Sequence, residues 1–196
     1  SIAAGSLKPY SGPFGRPELI HLLRRTLFGV SKSDLNSFKG KSLSDTLDVL
    51  VTSTPPLPDP PVRAYYNNVD PAQDTLELYT DAQGNKVYAV EWGKTWINSA
   101  IPANVVGNPN GARRLSLKNW CTGLMIHQDR TVYEKMVQFY QTILVIEESV
   151  VENPNSAYFT QELYRKYAFG NYKKLVKEIS LNPGMLRYLN GYLNTK

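Results

Sequence analysis

Apolar residues recur every three or four positions over most of this chain, and the clearest run lies at 158–192, where three short helical signals follow one another with their stop signs. Leu163, Tyr164, Tyr167 and Ala168 form the first stripe, which ends at Gly170, a residue suited to the left-handed conformation just past a helix end. Asn171 caps a second helix with Tyr172, Leu175, Val176 and Ile179 on one face. Asn182 caps a third, with Pro183 at its first position and Met185, Leu186 and Leu189 inward, and Gly191 closes it. Near the other end, Pro17-Glu18 opens a helix to Leu27, with Leu19, Ile20, Leu23 and Leu27 as its stripe and Gly29 as its stop. Ser31 to Asp34 and Ser42 to Asp45 both have the form of a capping box with Asp in place of Glu. The first opens a helix to Phe38; the second opens one with Leu43, Leu47, Leu50 and Val51 inward. Turns this short predict a compact three-helix corner.

The middle of the chain breaks this period. Residues 1–15 are small and rich in Pro and Gly, which predicts an extended arm. Residues 54–61, TPPLPDPP, exclude helix and inner strand because Pro fixes φ and lacks a donor, and predict a Pro-rich strap. Residues 75–92 switch to a period of two around Asp81–Asn85, which predicts a β-hairpin insertion. A lone hairpin is marginal in water, so this one must pack on the helices or on a partner. Residues 93–111 are irregular. From Ala112 the helical period returns with Leu115, Trp120, Leu124 and Met125 inward, and Asp129-Arg130-Thr131 turns the chain. The longest predicted helix spans 132–147, with Val132, Met136, Phe139, Tyr140, Ile143 and Ile146 as its core face; Asn153–Ser156 breaks it. The whole predicts a single all-α domain over 1–196, a compact array of about seven or eight short helices with a hairpin insertion and a Pro-rich strap.

Composition narrows the function classes. With 196 residues, 42% apolar and 20% charged, the chain can bury one good core. No run approaches the roughly eighteen apolar residues of a membrane span. The first residues show no basic-then-apolar leader, which leaves localisation open. A lone Cys121 excludes an intrachain disulfide and a Cys-based zinc site, and two histidines, His21 and His127, exclude the usual transition-metal clusters. No metal and no cofactor is predicted. The net charge of +5 is spread over several helices.

The best candidate polar cluster is His21 with Arg24 and Arg25, three or four apart on one helix, where they could jointly hold a carboxylate or phosphate. The competing reading has Arg24 or Arg25 tying down a neighbouring helix end. His127 reads as a helix cap, Cys121 as a small core residue, and Glu134 as a surface ion-pair partner. Glu147, Glu148 and Glu152 lack further oxygen ligands at fixed spacing and read as a solvated helix end. The basic groups Arg113-Arg114-Lys118, Arg165-Lys166 and Lys173-Lys174-Lys177, interleaved with Tyr164, Tyr167 and Tyr172, carry no recognised nucleic-acid motif and read as solvated flanks, which argues against a nucleic-acid partner. Trp92 and Trp96 are the aromatic residues predicted to touch a partner.

Three stretches carry a family resemblance. Ala168-Phe169-Gly170-Asn171-Tyr172 through Pro183, Met185-Leu186 and Tyr188-Leu189-Asn190 is similar to a pattern of the bacterial domain-of-unknown-function family 1800. His21-Leu22-Leu23-Arg24-Arg25-Thr26-Leu27-Phe28-Gly29-Val30 resembles that family's H-L-L-R-R-x-x-F-G, and Glu134-Lys135-Met136-Val137-Gln138-Phe139 its E-K-M-x-x-F. The resemblance carries no settled activity. It departs where members continue with a pair of histidines and this chain reads Tyr140-Gln141-Thr142-Ile143. Members also continue past the last segment into an acidic, Arg-bearing helix, whereas this sequence stops at Lys196. The expectation is an amino-terminal fragment that leaves an apolar strip of Met185, Leu189 and Tyr192 for a protein partner or for the missing carboxy-terminal part. The functional expectation is a binding or assembly module of the bacterial envelope or exterior, periplasmic or secreted by resemblance. The alternative is a fragment of an enzyme acting on an envelope or extracellular polymer, with its catalytic part missing.

Overall fold

A computed structural model describes residues 8–52, 54–67 and 70–193. Among them the fold is all-α with one small hairpin. The order is α1 (Arg16–Thr26), α2 (Lys32–Phe38), α3 (Leu43–Thr52), β1 (Leu78–Thr80), β2 (Lys86–Tyr88), α4 (Pro109–Ile126), α5 (Tyr133–Ile143), α6 (Glu148–Val151), α7 (Pro154–Lys166), α8 (Tyr172–Ile179) and α9 (Pro183–Tyr188). No described helix is long and apolar enough to cross a membrane. Residues 1–7 of the expected arm, and the chain end on which the fragment expectation rests, lie outside the described residues.

The caps act as their sequences require. Ser31 Oγ accepts from the Asp34 amide at 3.1 Å while Asp34 Oδ2 accepts from the Ser31 amide at 2.8 Å, and Ser42 with Asp45 repeats the device. Asn171 Oδ1 accepts from the Lys174 amide at 3.0 Å at the start of α8. His127 caps the end of α4, its Nδ1 lying 3.0 Å from the Gly123 carbonyl.

Among the described residues, three apolar clusters fill the interior. The largest joins Tyr133, Val137 and Tyr140 of α5 to Tyr164, Tyr167, Leu175, Ile179 and Met185, so the C-terminal helices pack on α5 as expected. A second is confined to the N-terminal corner, with Leu19, Leu23, Leu27, Phe38 and Leu50. The third gathers Val90, Trp96, Leu117, Ala157 and Tyr158 beneath the hairpin. The corner meets the rest mainly through polar tethers. The Val132 amide donates to the Leu50 carbonyl at 2.9 Å. Arg130 donates to Asp34 at 2.9 Å and to Ser33 at 3.0 Å, and Lys135 Nζ sits 3.9 Å from the Phe28 ring centre. The strap at 54–61 carries no helix or strand and is laced to α4 by the Trp120 indole, which donates to the Asp59 carbonyl at 2.9 Å.

Several faces differ from the periodic reading. The helix expected at 132–147 stops at Ile143, because the Leu144 carbonyl turns aside to accept the Tyr164 hydroxyl. The longest described helix is α4, which begins earlier than expected, at Pro109, capped by Asn108. Phe139 and Ile143 are exposed while Tyr133, Glu134 and Val137 are buried, a rotation of the face toward α7. Leu115 is exposed because α4 turns Arg113 and Leu117 inward instead. On α3, Leu47 and Val51 are exposed and Thr46 is buried, its hydroxyl donating back to the Ser42 carbonyl at 2.8 Å. Leu189, expected inward on α9, faces solvent just past the helix end.

Candidate functional site

A fully buried polar construction lies at the base of the hairpin, where Glu77 meets α4. Glu77 adopts φ +68° and is fully buried. Its carboxylate accepts two bonds from Arg113 of α4, from Nε and Nη2, both at 2.8 Å, and a third from the Tyr65 hydroxyl at 2.6 Å. Burial, reinforced by the charged partner Glu77, pushes the Tyr65 phenol far above its ordinary range, so it serves as a permanent donor. Arg113 Nη1 donates onward to the Ser99 carbonyl at 2.8 Å. A second buried pair, Arg63 with Asp74, staples the hairpin: Arg63 also donates to the Val90 and Leu76 carbonyls at 2.9 Å each and lies over the Tyr88 ring. A third, Arg165 with Glu134 at 2.6 Å, joins α7 to α5 beneath the Trp120 ring.

These pairs correct the sequence reading. Arg113 and Arg165, expected as solvated basic flanks, are buried, and Glu134, expected as a surface partner, is buried opposite Arg165. Their partners are distant in sequence, so no local spacing signals them.

The Arg113–Ser99 bond fixes one wall of an open cleft of about 680 Å³. Ser99, Ala100 and Ile101 form that wall; Asn110 and Arg113 of α4 form the floor. Opposite stand Glu152, the first turn of α7, and Pro183, Leu186 and Arg187 of α9, with Tyr192 at the mouth. The α7 turn is held by Asn153 Oδ1, which accepts from the Asn155 and Ser156 amides at 2.9 and 3.3 Å. Asn182 Oδ1 caps α9 by accepting from the Gly184 amide at 2.9 Å, and also accepts from the Thr160 hydroxyl at 2.8 Å, locking α9 to α7. At the rim, Arg187 Nη2 reaches Glu152 at 3.3 Å and its guanidinium lies 4.8 Å from the Tyr192 ring centre. Glu152 reaches the rim from a left-handed backbone, φ +57°, at the sharp reversal between α6 and α7.

Close approach at Gly184 sets the seat of α9. A Cβ there would lie 2.7 Å from Thr160 Oγ1, 3.0 Å from Asn182 Oδ1 and 3.1 Å from the Ser156 carbonyl oxygen. Gly184→Ala is therefore expected to lower stability by about 1–3 kcal/mol, although alanine is the better helix former. An unchanged thermal midpoint for this variant would show that α9 shifts without loss.

The predicted site residues divide. Tyr192 and Leu189 are exposed, with Tyr192 in the cleft, whereas Met185 is buried in the C-terminal cluster and offers no partner contact. Trp92 is exposed beside Tyr66, ring centres 6.2 Å apart, and lies outside the cleft. Trp96 is fully buried, its indole donating to Ser116 Oγ at 3.1 Å, and is a core residue rather than a partner contact. His21 and Arg25 border a separate groove on α1, and Arg24 does not. Neither arginine makes an ion pair or side-chain hydrogen bond among the described residues, so the tie to a neighbouring helix end is not found there. Cys121 is half-buried, and burial pushes its thiol up to about 11, which keeps it protonated and unreactive at neutral pH.

A family model described as "Protein of unknown function (DUF1800)" matches residues 21–196. No curated protein and no solved structure matches the chain.

Proposed function

The chain belongs to the DUF1800 family of proteins of unknown function, and from that membership and the cleft's geometry we propose that it is a binding or assembly module. One observation carries this reading: five separated segments converge on a single cleft whose deepest charged group is already committed. Arg113 spends its guanidinium on Glu77 and the Ser99 carbonyl, so it stiffens the floor instead of reacting. The rim presents Ile101, Tyr192 and an exchangeable Arg187–Glu152 pair to an incoming ligand. A stiff floor beneath a mixed polar and apolar lining suits holding a ligand or partner segment. The cleft takes in Tyr192, which the sequence offers as a partner contact, together with the 99–101 loop. Residence in the bacterial envelope or exterior, as the resemblance implies, defines where to look for that partner.

Hydrogen exchange of the full chain, with and without a solubilised bacterial envelope fraction, tests the reading. Added protection is expected at 99–101 and 187–192, and Arg187→Glu with Tyr192→Ala is expected to weaken it about tenfold or more, since Arg and Tyr commonly anchor interfaces. Protection confined to other segments would sink it.

A further inference from the structure

Away from the cleft, a groove of about 560 Å³ runs along α1, within the size range of small-molecule sites. Its surface is mostly apolar: Tyr10 and Phe14 from the chain before α1, Pro17 and Leu22 of α1, and Leu43 of α3. The Tyr10 hydroxyl donates to the Pro13 carbonyl at 2.8 Å, which holds that ring in place as a wall. The basic groups at its edge are His21 and Arg25, four residues apart and so one turn apart on one helix face. Both are exposed and neither is hydrogen-bonded or ion-paired among the described residues. The groove's carboxylate, Glu18, is already engaged in accepting the Gly15 amide at 2.9 Å. Apolar walls with unspent positive charge at one edge complement a molecule with an apolar body and one anionic end.

We propose that this groove binds an amphiphilic anion, its carboxylate or phosphate head held by Arg25 and His21 and its acyl or aryl body lying over Tyr10, Phe14, Leu22 and Leu43. Arg25 supplies a bidentate fork for the head, and His21 adds a second donor one turn earlier. Arg24 carries the same charge on the same helix but does not border the groove. It therefore separates a seated ligand from general attraction to a basic helix.

Isothermal titration of the full chain with monomeric decanoate and with decyl phosphate reads the proposal directly. Saturable one-to-one binding is expected, weaker for decanol and not measurable for acetate. Arg25→Ala is expected to weaken decanoate binding about tenfold, the loss of one charge-assisted contact, while Arg24→Ala stays within about twofold. Leu43→Asp gives a second reading by placing a charge on the wall opposite the head, and should abolish decanoate binding while the thermal midpoint reports on folding. Equal losses in Arg24→Ala and Arg25→Ala would overturn the proposal, because a seated head cannot be indifferent to which arginine is removed. Sedimentation with anionic phosphatidylglycerol vesicles without any binding of monomeric decanoate would also overturn it, since that pattern marks a basic surface and not a groove.

Discussion

Replacing Glu77 by Ala is expected to lower the stability of the fold by about 3–5 kcal/mol, the cost of stranding one charge of a buried pair. Arg113 is 1% exposed and would keep only the Ser99 carbonyl as a partner, while the Tyr65 hydroxyl would lose its acceptor altogether. Removing both charges should cost less than removing one. Glu77→Ala with Arg113→Met leaves no orphaned guanidinium, so the double variant is expected to recover a measurable part of the loss. Denaturant unfolding of the two single variants and the double variant gives the coupling. A double variant no more stable than Glu77→Ala would mean that packing at Arg113, and not its charge, carries the effect. Because Arg113 also fixes the 99–101 loop, faster amide exchange there should accompany the Glu77 loss even below the melting range.

The second large effect is expected at Leu175, where truncation to Ala should cost about 2–5 kcal/mol. Leu175, on α8, has no solvent exposure and sits in the largest cluster with side chains of α5 and α7. Its sequence neighbour Val176 is exposed on the same helix. Val176→Ala is accordingly expected to stay within about 0.5 kcal/mol, the usual range at a surface site. Leu186 is only partly buried and borders the cleft, so its truncation should fall between the two. Similar melting for Leu175→Ala and Val176→Ala would place the core elsewhere.

What the sequence made legible was punctuation. Ser31, Ser42, Asn171 and Asn182 mark helix starts because each meets its own partner within two or three residues, and Pro183 because its fixed φ suits a first helical position. Faces were less legible wherever a long-range pair competes with the apolar stripe. On α5 the apolar residues form one broad stripe, and Glu134, drawn to Arg165 across 31 residues, decides which edge of it turns inward. On α4, Arg113 does the same through Glu77, 36 residues earlier, and carries Leu115 out to solvent. Trp92 and Trp96 illustrate the same limit: both lie in irregular chain, yet a hydrogen bond to Ser116 and the packing of Leu117 and Tyr158 take one of them fully inside. The cleft itself joins residues from 99 to 192, so no window of sequence could contain it. The α1 pair was readable because His21 and Arg25 are one turn apart, but only the fold separates Arg25 from Arg24.

The Pro-rich strap changes how strongly the N-terminal corner has to hold on. As separate molecules, partners joined by one backbone bond, one exposed arginine and a cation–ring contact would associate only weakly. A strap of Thr54–Pro61 in extended polyproline form reaches about 25 Å, and a short stiff tether of that kind holds its cargo at an effective concentration on the order of millimolar. At that concentration even a millimolar-affinity contact set, about 4 kcal/mol, keeps a tethered piece docked roughly half the time. Proteolytic cleavage within 54–61 would therefore release the corner into dilute solution although every docking contact remained intact.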